Sequence, residues 1–148
     1  MDYDYDNVEI LFVEDSIDDA ALTIRALNKS GSTNKLYHVK DGAAALDFIY
    51  CRGDFENRKP KEFPKLILLD LKMPKISGIQ VLEKLKSDPE TKSIPIVMLT
   101  SSNEGPDIEK CFSLGVNSYI VKPVDSDNFF KAIKEIGLYW MVTSQSPN

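Results

Sequence analysis

Five polar residues stand directly after short strand-like runs: Glu14 and Asp15 after residues 8–13, Asp70 after 66–69, Thr100 after 94–99 and Lys122 after 118–121. Three carboxylates, a hydroxyl and an ammonium form a chemically coherent set. Unit charges ~4 Å apart repel by roughly 4 kcal/mol at an effective dielectric of about 20, so gathered carboxylates want a cation. Magnesium suits an all-oxygen site that keeps room for waters and a phosphate. Beside such a metal, Asp70 can attack a phosphoryl group and hold it as an acyl phosphate. Lys122 as a point charge and Thr100 as a hydrogen-bond donor would meet the charge that builds on the phosphoryl oxygens. Glu14 would help to hold the metal, through water.

The elements that must bring these residues together are legible as alternating apolar runs and amphipathic stretches. Residues 8–13 form a buried strand, and Ser16 caps a helix carrying Ala20, Ile24 and Leu27 until Ser30-Gly31 stops it. Residues 36–39 make a weaker strand, and Asp41-Gly42 opens an alanine-rich helix through Tyr50. The stretch 51–64, CRGDFENRKPKEFP, has turn and charge composition and predicts a long loop. Residues 66–69 are the most apolar strand, and Ser77-Gly-Ile-Gln80 is a capping box opening a helix with Val81, Leu82 and Leu85 inside. A fourth strand spans 94–99 with Pro95 near its start, and a helix follows from about Pro106 to Leu114, ended by Gly115. Residues 118–121 are the fifth strand, and Asp125 caps a last helix with Phe129, Ile133 and Ile136. Five βα units in one chain predict a parallel sheet with helices on both faces. Such sheets bind ligands outside the carboxyl ends of their strands, where all five polar residues stand.

At 148 residues the chain predicts a single domain, 1–148, with a core at about 8–138, an acidic tail 1–7 and an aromatic extension 139–148. The 43% hydrophobic and 28% charged composition suits a globular protein with a real core. No apolar run approaches the ~18 residues of a membrane span, and the acidic N-terminus lacks the features of a signal peptide, so the expected compartment is the cytoplasm. Cys51 and Cys111 lack metal-site spacing and His38 is the one histidine, which excludes a zinc finger or a His-rich metal site. Eight of the 23 acids fall in the first nineteen residues, which contain no Lys or Arg, leaving 15 acids against 18 bases elsewhere. The net charge of −5 argues against a nucleic-acid partner.

The motifs Val13-Glu14-Asp15, Leu68-Leu-Asp-Leu-Lys-Met-Pro74 with Gly78, Met98-Leu-Thr-Ser101 and Tyr119-Ile-Val-Lys-Pro123, in this order and at this spacing, resemble a response-regulator receiver domain of two-component signalling. The resemblance covers about residues 8–138. It implies a flavodoxin-like, doubly wound (βα)5 fold with strand order 2-1-3-4-5. It implies Asp70 as phosphoacceptor, a sensor histidine kinase as donor, and Mg²⁺ held by Asp15, Asp70 and the backbone carbonyl of Lys72. It further implies Thr100 and Lys122 as switch and phosphate contacts, Tyr119 as an aromatic that swings inward on activation, and Lys72 and Ser102 as residues flanking the site mouth. The long 51–64 loop and the aromatic tail 137–142 are similar to stand-alone receivers that partner phytochrome-type kinases. A downstream phosphotransfer or effector protein would read the switched surface.

Two other classes stay open on the residues alone. An aspartyl-phosphate hydrolase also uses an Asp after an apolar strand, but such enzymes follow a D-x-D pattern and position 72 is Lys. A phosphorylation-independent interaction module would tolerate loss of the five site residues, and none is lost. G-x-x-x-x-G-K and G-x-G-x-x-G are both absent, which removes P-loop and Rossmann readings. His38 is expected on a strand away from the crevice, with a structural role. The run Leu138–Val142, too apolar for one protomer's interior, predicts a homodimer through the C-terminal region.

Overall fold

The computed structural model describes residues 5–29, 34–101 and 105–138. Within them the chain alternates strand and helix: β1 (Ile10–Val13), α1 (Ile17–Lys29), β2 (Leu36–Val39), α2 (Gly42–Tyr50), β3 (Leu66–Asp70), α3 (Gly78–Ser87), β4 (Ile96–Thr100), α4 (Gly105–Ser113), β5 (Ser118–Val121) and α5 (Ser126–Glu135). The five strands are parallel, in the order β2-β1-β3-β4-β5, as the doubly wound (βα)5 reading requires. The order reverses beside β1, so β1 and β3 flank the crevice where such sheets take ligands.

Strand side chains alternate between two cores. Leu11, Val13, Ile67, Leu69, Ile96 and Met98 face α2, α3 and α4, meeting Phe48, Leu82 and Cys111. Ile10, Phe12, Leu68, Val97, Leu99 and Ile120 face α1 and α5, meeting Leu27, Phe129 and Ile133. Burial on both faces explains why β1, β3 and β4 are continuous apolar runs rather than alternating ones.

The helix starts follow their sequence signals. Asp41 caps α2, Ser77 and Gln80 close a capping box on α3, and Asp125 and Asn128 close another on α5. Three boundaries move. β1 begins at Ile10 rather than Val8, β3 runs on to include Asp70, and β4 spans Ile96–Thr100, leaving Pro95 just outside, where its carbonyl still accepts from Ile67 N–H at 2.9 Å. Asp70 and Thr100 are therefore the last residues of strands, held by the ladder itself.

The 51–64 stretch is a loop, as expected, but it is partly buried. It contains a 3₁₀ turn at Gly53–Phe55 and buries both Phe55 and Arg58. The Arg58 guanidinium lies 3.9 Å over the Phe48 ring and donates to the carbonyls of Phe48 and Glu62 and to Cys51 Sγ. Tyr5, in the expected acidic tail, packs edge-on against Tyr37, Phe48 and Phe55. These aromatics extend the core on the α2 face around Tyr37 of β2, and the charged composition of the loop concealed Phe55 among them. At the other end, Leu138 packs against the α1/α5 core, while residues 139–142 of the expected dimer segment lie outside the described residues, as does Ser102. Among the described residues no helix is long and apolar enough to cross a membrane.

Gly78, in the first turn of α3, sits against the strand end that carries Asp70. A Cβ built there would lie 2.1 Å from the Asp70 carbonyl oxygen and 2.9 Å from Leu71 Cα, both backbone atoms. Because neither can rotate away, Gly78→Ala is expected to cost at least ~2 kcal/mol of stability by pushing α3 off β3. Urea denaturation measures it, and an unchanged midpoint would contradict the close approach.

Candidate functional site

Register sets the site. Val13 pairs with Leu69, so Glu14 comes level with Asp70 one residue beyond, and Glu14 N–H donates to the Val39 carbonyl at 3.1 Å, extending the ladder. Thr100 pairs with Val121, and Lys122 N–H donates to the Thr100 carbonyl at 2.7 Å, carrying β5 one step further. Strand alternation then turns Glu14, Asp70 and Lys122 toward α1 and α5.

Four of the expected residues meet there. Ligand oxygens of Glu14, Asp15 and Asp70 lie within 4.8 Å of one another. Glu14 and Asp70 are buried and Asp15 is exposed, so the cluster has a closed floor and an open mouth. Lys122 Nζ is 2.7 Å from Glu14 Oε1 and 3.2 Å from Asp70 Oδ1, spanning the two buried acids. The Lys122–Pro123 peptide is cis. Thr100 is buried at the end of β4, next to the cluster, with its side chain on the α4 side of the sheet by alternation. Tyr119 is half-buried on that same side, packed edge-on against Phe112 at 5.8 Å. Lys72 is exposed just beyond Asp70.

Burial pushes the Asp70 carboxyl up to about 7, helped by the hydrogen bond and the negative charge of Glu14 and opposed by Lys122. Burial works against the Lys122 ammonium, yet Glu14, Asp70 and Asp19 together outweigh it and hold the group above the ordinary lysine range. One ammonium thus serves an excess of carboxylates. An all-oxygen set with unmet negative charge and an open mouth fits a hard divalent cation, which is what the donor types of Glu14, Asp15 and Asp70 supply.

Two contacts are not legible in the sequence. His38 is not away from the crevice: its Nε2 donates to the Glu14 carbonyl at 2.8 Å while its ring lies against Phe12, so it braces the backbone beneath the acidic cluster. Its role is structural, as expected. Asp19, at the start of α1, reaches Lys122 Nζ at 3.2 Å. The available signal was a carboxylate one helical turn after the Glu14-Asp15 pair, which could equally have been a cap.

The model of the response regulator receiver domain family matches residues 10–134. The response regulator Rcp1 of Synechocystis sp. is 38% identical over 138 residues, covering 93% of this chain and 92% of that protein. The Mn²⁺-bound crystal structure of Rcp1 superposes with a TM-score of 0.73 at 37% identity, over 94% of this chain and 98% of that one. The bacteriophytochrome response regulator RtBRR superposes with a TM-score of 0.83 at 47% identity, over 89% of this chain and 79% of that one. The phosphorylated cyanobacterial phytochrome response regulator RcpA gives a TM-score of 0.72 at 34% identity, over 95% of this chain and 97% of that one.

Proposed function

The chain belongs to the response regulator receiver domain family, and on that premise we propose that it is a phosphorylation switch that takes a phosphoryl group from the phosphohistidine of a sensor histidine kinase onto Asp70. The observation that carries the reading is the cluster itself: three carboxylates within 4.8 Å and one ammonium spanning two of them. Asp15, Asp70 and the Lys72 carbonyl, helped by Glu14, would hold Mg²⁺. The Mn²⁺-bound form of Rcp1 supports a divalent ion, and when bound such an ion would neutralise a phosphoryl oxygen.

The chain's own residues do the rest. Asp70 Oδ attacks phosphorus as the phosphorus–nitrogen bond of the kinase phosphohistidine breaks and the imidazole leaves with the electron pair. Glu14 and Asp70 are both buried, forming the floor on which this happens. Lys122 moves from Asp70 to a phosphoryl oxygen, a small shift for a group already 3.2 Å away. Thr100 donates a hydrogen bond to a further oxygen. Drawing Thr100 toward Asp70 vacates space on the α4 side, which Tyr119 fills by leaving its edge contact with Phe112. The readout surface is the α4–β5–α5 face, where a groove of about 510 Å³ is lined by Phe112, Tyr119, Lys131 and Glu135. A downstream phosphotransfer or effector protein docks there.

The protein acts in the cytoplasm and catalyses only its own phosphoryl transfer and loss. The phytochrome-linked names of RtBRR and RcpA favour a phytochrome-type kinase as donor. Incubation with acetyl phosphate and Mg²⁺ is expected to add one phosphoryl mass, placed on Asp70 by borohydride trapping and peptide mapping. A stable label elsewhere, or none, contradicts the reading.

A further inference from the structure

Among the described residues three helices begin with the residue pattern of a capping box, and two of them close it. On α3 the Gln80 side chain returns to Ser77 N–H, and on α5 the Asn128 side chain returns to Asp125 N–H. On α1 the first half forms in the same way, Asp19 N–H donating to Ser16 Oγ at 3.2 Å. The second half does not. Ser16 N–H goes instead to Glu14 Oε2 at 3.3 Å, and the Asp19 carboxylate, which local geometry would fold back onto Ser16, extends across the site mouth to Lys122 Nζ at 3.2 Å. Glu14 therefore takes the place of Asp19 in the cap and frees its carboxylate for the ammonium.

We infer that Asp19 is a positioning residue that holds Lys122 in the unphosphorylated protein and restrains phosphoryl uptake by competing for that ammonium. The inference rests on the phosphorylation reading given above. Lys122 has three carboxylate partners, of which Glu14 and Asp70 are buried while the Asp19 side chain is 46% exposed. During uptake from acetyl phosphate the donor's phosphorus–oxygen bond breaks, acetate leaves with the electron pair, and a new bond forms from Asp70 Oδ to phosphorus. Lys122 must turn to the incoming phosphoryl oxygens at that moment. Asp19 opposes this twice: it keeps a hold on the ammonium, and it presents a negative charge to a negatively charged donor at the mouth. Being exposed, it acts through a field that salt weakens.

The test is the second-order rate of phosphoryl uptake from acetyl phosphate with saturating Mg²⁺, at low salt and at 1 M salt, for wild type, Asp19→Asn, Asp19→Ser and Asp19→Glu. Both neutral variants are expected to take up phosphate about fivefold faster at low salt, the gain shrinking toward none at high salt. Asp19→Glu, which restores the carboxylate, is expected to return toward the wild-type rate. A purely structural role for Asp19 would slow the neutral variants or leave them unchanged. Rates at or below wild type in whichever neutral variant folds overturn the role of Asp19 alone. A wild-type protein that acquires no phosphoryl group on Asp70 overturns the functional reading and this inference with it.

Discussion

Asp70→Asn is expected to abolish phosphoryl uptake from acetyl phosphate and, in the same protein, to raise the stability of the fold. The first effect follows from nucleophilicity, since an amide oxygen cannot form the acyl phosphate and no other carboxylate of the cluster ends a central strand as Asp70 does. The second follows from the carboxyl being pushed from 3.8 up to about 7, chiefly by burial and then by Glu14. A raised carboxyl binds its proton more tightly in the folded chain than in the unfolded one. Stability is therefore lost as pH rises from about 4 through about 7, and the full cost is present above that. An uncharged Asn escapes the cost but leaves Lys122 with one partner fewer, so the net gain is expected to be about 1–2 kcal/mol at pH 8 and to vanish near pH 4. Thermal melts at the two pH values measure it. A variant that melts lower than wild type at pH 8 would mean that the Lys122–Asp70 pair outweighs the crowding of carboxylates.

The second large effect concerns the metal. Mg²⁺ affinity is expected to fall as pH drops through about 7, because the proton that Asp70 binds there competes with the cation. An ordinary aspartate would leave affinity flat from pH 8 to about 5. Asp15→Ala should lower affinity at least about tenfold and remove phosphoryl uptake with it, since Asp15 is the exposed acid at the mouth and the third oxygen source of the cluster. Titration calorimetry at pH 6 and pH 8 reads both effects. A pH-independent affinity, or wild-type uptake by Asp15→Ala, would place the ion elsewhere.

The strands, the caps at Ser77, Asp125 and Asp41, and the site residues Glu14, Asp15, Asp70 and Lys122 were legible in the sequence because each rests on a rule a few residues wide. A run buried on both faces must be apolar throughout, an N-cap must offer an oxygen three residues ahead, and a parallel strand must end at one edge of the sheet. Parallel strands then bring the polar residues at or just beyond the ends of β1, β3, β4 and β5 to one edge of the sheet. Tertiary structure decided the contacts that no local rule constrains. Asp19 and Lys122 are 103 residues apart, and within α1 nothing distinguishes a carboxylate that closes a cap from one that crosses the crevice. His38 lies behind Glu14 because β2 pairs with β1 in one register, and a slip of one residue would have turned it to the other face. Arg58 is concealed most completely: a charged residue in a loop-like stretch is ordinarily solvated, and only the face of Phe48 with the carbonyls of Phe48 and Glu62 makes its burial favourable.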